Sequence, residues 1–202
     1  MRAVMKLSEP FKLTANRSPE YFARALRVIG QDLAGLIAKQ VEIVCHGENF
    51  AVRATCDRKK LESKKPEARK QGLGALIGRL ANYRLDKPAG APDIVTYHRT
   101  YTPDDVNRLD QQGVDRRRQG GRLPDIYSLS EALRTVGRIV DTNGGQLLSV
   151  FKDQRRIAVE YTDKKGARCR EELTSLELYK LQRRYYQERA ASANPDFFTH
   201  HD

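Results

Sequence analysis

The chain repeats itself. Residues 23–57 align without gaps on residues 130–164 at an offset of 107, and seven of the 35 aligned positions are identical: Ala25/Ala132, Leu26/Leu133, Arg27/Arg134, Gly30/Gly137, Ala51/Ala158, Val52/Val159 and Thr55/Thr162. Chance at one offset gives roughly two. Six further pairs keep apolar character, among them Ile29/Val136, Leu33/Val140, Ile43/Val150 and Phe50/Ile157. A duplicated unit this small cannot bury its own apolar face, so two copies are expected to pack together.

Each copy reads as a helix followed by a hairpin. Phe22, Leu26, Ile29 and Leu33 recur at helical spacing, as do Leu129, Leu133, Val136 and Val140. Ser18-Pro19 supplies a cap and a first-turn proline for the first helix. Ser128 and Glu131 supply an S-x-x-E capping box for the second, and Asn143-Gly144-Gly145 stops it. Residues 41–45 and 50–56 flank a polar turn beginning at His46, and residues 146–152 and 157–162 flank one beginning at Asp153; both are hairpin patterns. A lone hairpin is barely stable, so the two are expected to share one sheet covered by helices.

The predicted fold is therefore α+β, with two tandem α-β-β repeats forming a pseudo-twofold pair and additional helices around them. The first repeat, with an N-terminal strand, occupies residues 1–57. A basic segment, a short helix over 72–85 and a linker at 87–92 fill residues 58–92. Residues 93–190 hold a linking strand at 94–101, a helix opened by Thr102-Pro103-Asp104-Asp105, the second repeat and a long helix over 171–190. That last helix takes Leu173, Leu176, Leu178, Leu181 and Tyr185 as its apolar side. Residues 191–202 read as a disordered tail.

Charge is the second constraint. Of 202 residues, 37 are Lys or Arg and 26 Asp or Glu, a net charge of +11. The excess is local: residues 58–92 hold ten basic against three acidic side chains, net +7, while residues 93–126 are neutral. A cluster is a stronger signal for a polyanion than a uniform coat, because contacts to several phosphates release counterions together. Lys59, Lys60, Lys64, Lys65, Arg69 and Lys70 are the candidate contacts, and Arg116-Arg117-Arg118 a second set. The order helix, hairpin, Ser63-Lys64-Lys65, Ala68-Arg69-Lys70, apolar helix is locally similar to a double-stranded RNA-binding domain over about 60 residues. That resemblance implies phosphate contacts at a helix entrance. Pro66 falls inside the motif, and the second repeat has no matching lysines.

Signatures for catalysis are missing. His46, His98, His200 and His201 fall in no HExxH, HxH or Cys-x-x-Cys pattern, so no metal site is expected. No G-x-S-x-G occurs. Residues 71–78 are glycine-rich but fit neither dinucleotide nor P-loop spacing. Pro124-Asp125 with Glu160 begins a nuclease-like pattern, but Thr162 stands where it needs lysine. Cys45, Cys56 and Cys169 have no close pair and read as reduced thiols, pointing to a cytoplasmic location. No apolar run approaches the roughly 20 residues of a membrane span.

The expected role is a non-enzymatic nucleic-acid-binding or nucleic-acid-associated protein. It would contact backbone phosphates of DNA or RNA with little sequence specificity and need no cofactor. The alternative is a protein–protein interaction or assembly module, self-association included, with no nucleic-acid role.

Overall fold

Apolar side chains alternate along the strands, and that alternation builds a sheet with one covered face. A computed structural model of the chain describes residues 20–36, 38–57, 59, 84–86, 93–118 and 127–193. In chain order these form α1 (Tyr21–Leu33), a short 3-10 turn (Ala34–Leu36), β1 (Ala38–His46), β2 (Asn49–Asp57), β3 (Arg84–Asp86) and β4 (Ile94–Tyr101). Helices α2 (Pro103–Arg118) and α3 (Leu129–Thr142) follow. Strands β5 (Gln146–Lys152), β6 (Arg156–Thr162) and β7 (Arg168–Thr174) and helix α4 (Ser175–Ala193) complete the order.

The seven strands make one sheet in the order β3-β4-β2-β1-β5-β6-β7, antiparallel at every pairing. The two predicted hairpins thus share a sheet and meet at β1 and β5. At that seam Ile43 pairs with Val150, Glu42 with Phe151 and Val44 with Ser149. Val41, Ile43, Phe50, Val52, Val150, Ile157 and Val159 are buried on the covered face. Fully burying a side chain of this kind stabilises by about 1.5–3 kcal/mol, so this face holds much of the folding free energy.

Helices α1 and α3 supply the cover. Phe22, Leu26, Ile29 and Leu33 are buried, as are Leu133, Val136 and Val140. The two helices run antiparallel in close contact through their glycines. A Cβ on Gly30 would lie 2.6 Å from Ser130 Cα, and one on Gly137 would lie 2.5 Å from the backbone of Phe22 and Ala23. Only a residue without a Cβ fits either place.

Several local expectations need correction. Ser18-Pro19 lies outside the described residues, and the N-cap of α1 is Glu20, which makes no side-chain cap bond. Asp141 caps it instead from the far end of α3, its carboxylate accepting from the N–H groups of Phe22 (3.1 Å) and Ala23 (2.9 Å). At α3 half of the expected box forms: Ser128 Oγ accepts from Glu131 N at 3.3 Å, while the Glu131 carboxylate accepts from Tyr186 Oη at 2.8 Å. At α2 the reciprocal box is complete between Thr102 and Asp105.

The predicted helix over 171–190 starts too early. Glu171 to Thr174 belong to β7, and α4 begins at Ser175. Thr174 and Glu177 form the true box: Thr174 N donates to Glu177 Oε2 at 2.8 Å, and Glu177 N donates to Thr174 Oγ1 at 3.3 Å. The Thr174 N–H, and with it the Thr174 hydroxyl, which donates to the same Oε2 at 2.8 Å, hold the Glu177 carboxyl below its usual range. The apolar side also shifts, since Leu178 and Gln182 are buried whereas Leu176 and Leu181 are exposed. Arg84 and Leu85 form β3, not the end of a helix. The rest of the predicted helix over 72–85, the linker at 87–92, the N-terminal strand and residues 194–202 of the tail lie outside the described residues, while Ala191 to Ala193 end α4.

Candidate functional site: the basic segment and the open face of the sheet

Strand β2 is held between β1 and β4 as far as Asp57, the residue before the basic segment in sequence. Lys59 is 79% exposed; its Nζ stands 3.5 Å from Asp93 Oδ2, and its N–H donates to Asp57 Oδ1 at 3.0 Å. A pair this exposed contributes little to stability, so the lysine stays available to a solvent ligand. Lys60, Lys64, Lys65, Arg69 and Lys70 lie outside the described residues, as do residues 71–78, Pro124, Asp125, His200 and His201. Arg116, Arg117 and Arg118 are the last three residues of α2.

The face of the sheet opposite α1 and α3 carries side chains that sequence reading passed over. Cross-strand register sets Glu42 beside Arg53, and Arg53 beside His98. Together with His46 and Thr100 they border a groove of about 340 Å³ floored by Val44 and Ala51. Among the described residues, Glu42, His46 and Arg53 have no hydrogen-bond or ion-pair partner. The only hint in the sequence is period two: residues 42, 53 and 98 are polar positions between apolar ones, and pairing register alone brings them together.

A smaller groove of about 140 Å³ occupies the corresponding place on β5, β6 and β7, with Ser149, Phe151, Ala158 and Glu160 on its lining. Its charges are committed to one another. Glu160 pairs with Arg168 (2.6 Å) and Arg170 (3.4 Å), and Arg156 pairs with Glu172. The nuclease-like Glu160 is thus an ion-pair partner on a strand. Glu171 and Glu172, expected in a first helical turn, are strand residues too; Glu171 accepts from Tyr161 Oη at 2.5 Å. Burial first, then Glu171, pushes the Tyr161 hydroxyl well above its ordinary range.

Two buried polar groups sit under the helices. Asp32 Oδ2 accepts from Arg99 Nη1 and from Tyr101 Oη, each at 2.7 Å. The Arg138 guanidinium lies 3.1 Å from the centroid of the Tyr185 ring, and its three nitrogens are buried with no hydrogen-bond partner among the described residues. Burial, then the neighbouring Arg134, pulls its pKa below the usual arginine value, with Tyr185, Glu20 and Tyr186 opposing. Cys56 is buried on β2, and desolvation pushes its thiol up to about 12, whereas Cys45 and Cys169 are half-buried; all three are free thiols. Among the described residues no group of three or more His, Cys, Asp or Glu side chains is placed to hold a metal, and no helix is long and apolar enough to cross a membrane.

The architecture is α+β, an antiparallel sheet covered on one face by helices. Comparison with protein families, with curated proteins and with solved structures finds no match for this chain.

Proposed function

We propose that this protein is a non-enzymatic nucleic-acid-associated protein that holds backbone phosphates through the basic segment 58–70. The observation that carries the reading is the concentration of charge: net +7 falls within residues 58–92, out of +11 for the chain. The sheet flanks the basic region, with β2 ending at Asp57 before it and β3 beginning at Arg84 after it. Such tethering limits the entropy lost when lysines align on a polyanion. Phosphate contacts position a protein without reading sequence, so binding is expected to be weakly selective. The three free thiols fit a reducing, cytoplasmic setting.

We also infer that the two halves are a pseudo-twofold pair. Ile43 and Val150 align in the repeat and pair with each other, while Glu42/Phe151 and Val44/Ser149 exchange equivalent positions. Gly30 approaches Ser130, the counterpart of Ala23, and Gly137 approaches Ala23. Self-equivalent contacts of this kind are what a twofold axis generates.

Fluorescence anisotropy with duplex RNA, duplex DNA and single strands tests the nucleic-acid reading. Wild-type binding is expected to weaken steeply with salt and to fail when Lys64, Lys65, Arg69 and Lys70 are all changed to Ala. Affinity no greater than that of an unrelated protein of equal net charge refutes it. A second reading, an assembly module, draws on β7: it ends the strand order, and two residues beyond it Leu176 is 62% exposed. Mass rising with concentration in light scattering, without nucleic acid, favours that reading.

A further inference from the structure

We infer that the groove on the open face of β1, β2 and β4 binds a nucleoside monophosphate unit, free or within a single strand, with Arg53 taking the phosphate. This goes beyond the basic segment, whose one described residue, Lys59, is not on the groove's lining.

The two grooves on this face make an internal comparison. They occupy aligned positions: Glu42 corresponds to Ser149, Val44 to Phe151, Ala51 to Ala158 and Arg53 to Glu160. In the second groove Glu160 is neutralised by Arg168 and Arg170, and Phe151 takes the place of a smaller residue. In the first, Arg53 stands between Glu42 and His98 with no hydrogen-bond or ion-pair partner among the described residues, and His46 has none there either. Cross-strand neighbours of opposite charge normally pair, as Glu160 and Arg170 do. Glu42 and Arg53 are neighbours that stay apart, so each keeps its capacity for a ligand.

The chemistry of that ligand follows from the set. A guanidinium forks onto two phosphate oxygens, and the imidazoles of His46 and His98 add donors on the same rim. Glu42 accepts only, so the ligand must also carry an N–H or O–H donor. Val44 and Ala51 give a small apolar floor against which a flat or puckered ring can lie. A volume of about 340 Å³ is at the lower end of the small-ligand range, which runs from roughly 300 to 1,000 Å³. Anion, donor and ring within that size describe one nucleotide. Inorganic phosphate has no ring to cover Val44 and Ala51, and a nucleoside has no anion for Arg53.

The test is amide-detected NMR titration of the full chain with AMP, CMP, GMP and UMP, with adenosine, with inorganic phosphate and with a four-nucleotide single strand. Shifts at Glu42, His46, Arg53, His98 and Thr100 are expected with the nucleotides, far smaller with phosphate or adenosine alone. R53E, which places the charge of the aligned Glu160 there, and R53Q, which keeps the length, should each weaken binding about tenfold or more. R170Q, in the second groove, should leave it unchanged. Thermal melts verify that the exposed substitutions leave the fold intact. Saturation by monophosphates alone identifies a small-molecule site, and matching shifts from the oligonucleotide identify a strand site; both support the proposal. No shift at millimolar nucleotide, equal response to phosphate, or full binding by R53E overturns it. Duplex binding retained by R53E but lost in the four-site lysine and arginine variant separates this groove from the basic segment.

Discussion

Replacing Gly137 by alanine sets helix propensity against packing, and the structure decides which prevails. In an isolated helix Gly→Ala is favourable by about 1 kcal/mol. Here the new methyl would stand 2.5 Å from Ala23 N and from Phe22 C and O, all backbone atoms that cannot rotate away. Relief requires α1 and α3 to separate by about 1 Å, a gap that forfeits a quarter to a half of each dispersion contact across the interface. Overpacking of this kind costs roughly 1–3 kcal/mol, and a backbone clash lies at the upper end. Net destabilisation should be about 2 kcal/mol, or a fall in Tm of about 4–8 °C for a chain this long. Gly30→Ala makes the same demand at Ser130, where the new Cβ would lie 2.6 Å from Cα. One separation serves both, so the double variant should lose less than the sum of the singles. Urea unfolding followed by circular dichroism, with both singles and the double, measures all three values. A Tm unchanged or raised by G137A, or strict additivity in the double, would show that the helices do not meet as described.

Four other outcomes follow from the same structure. Asp141→Ala removes the acceptor for two N–H groups of α1 and should cost about 1–2 kcal/mol in urea unfolding, mostly recovered by Asn, which keeps an acceptor oxygen. Arg138→Leu deletes a buried cation whose donors have no partner among the described residues; unmet donors cost about 1–3 kcal/mol and the desolvated ring contact returns about 2, so stability is expected to stay within about 1 kcal/mol, and a loss above about 2 kcal/mol would contradict it. With Ellman's reagent at pH 8, Cys45 and Cys169 should react in the native protein and Cys56 only on unfolding, because its raised pKa keeps it a thiol; as pH climbs past the ordinary thiol range, about 8.5, the unfolded chain ionises first and stability declines. The N–H groups of Arg155 and Arg156 hold the Asp153 carboxyl below its usual range, so its contribution is present above about pH 4 and disappears as pH falls through the lower folded value. Asp153→Asn should flatten that acid limb; an unaltered pH profile would remove Asp153 from the account.

Both α-β-β units are visible in the sequence because their signals are local. Period-3.6 leucines and valines, β-branched runs and turn residues each act within about ten positions. What is not visible is pairing. The Thr174–Glu177 box had the same form as the one read at Ser128, but the leucines on either side of it fit a helix, and the alternation of Cys169, Glu171 and Leu173 runs on into them. Asp141 looks like any acidic residue near a helix end, and its role at the start of α1 depends on a contact 119 residues away. The groove has the same origin: Glu42, Arg53 and His98 lie on three strands, and only register assembles them. The basic segment was legible as composition, since charge needs no partner to be counted.

The seam between β1 and β5 also sets a timetable. Ile43 cannot meet Val150 until 107 further residues have been made. At about 5–20 residues per second, that interval is on the order of 5–20 seconds. Throughout it α1 carries an apolar face whose cover, α3, does not yet exist, and β1 presents an open edge. A nascent first half therefore exposes apolar surface of the kind chaperones and proteases bind, and the time it waits depends on the ribosome's pace between β2 and β5. Slow codons there would prolong the exposure; the same codons after residue 174, once β7 is complete, would have far less effect.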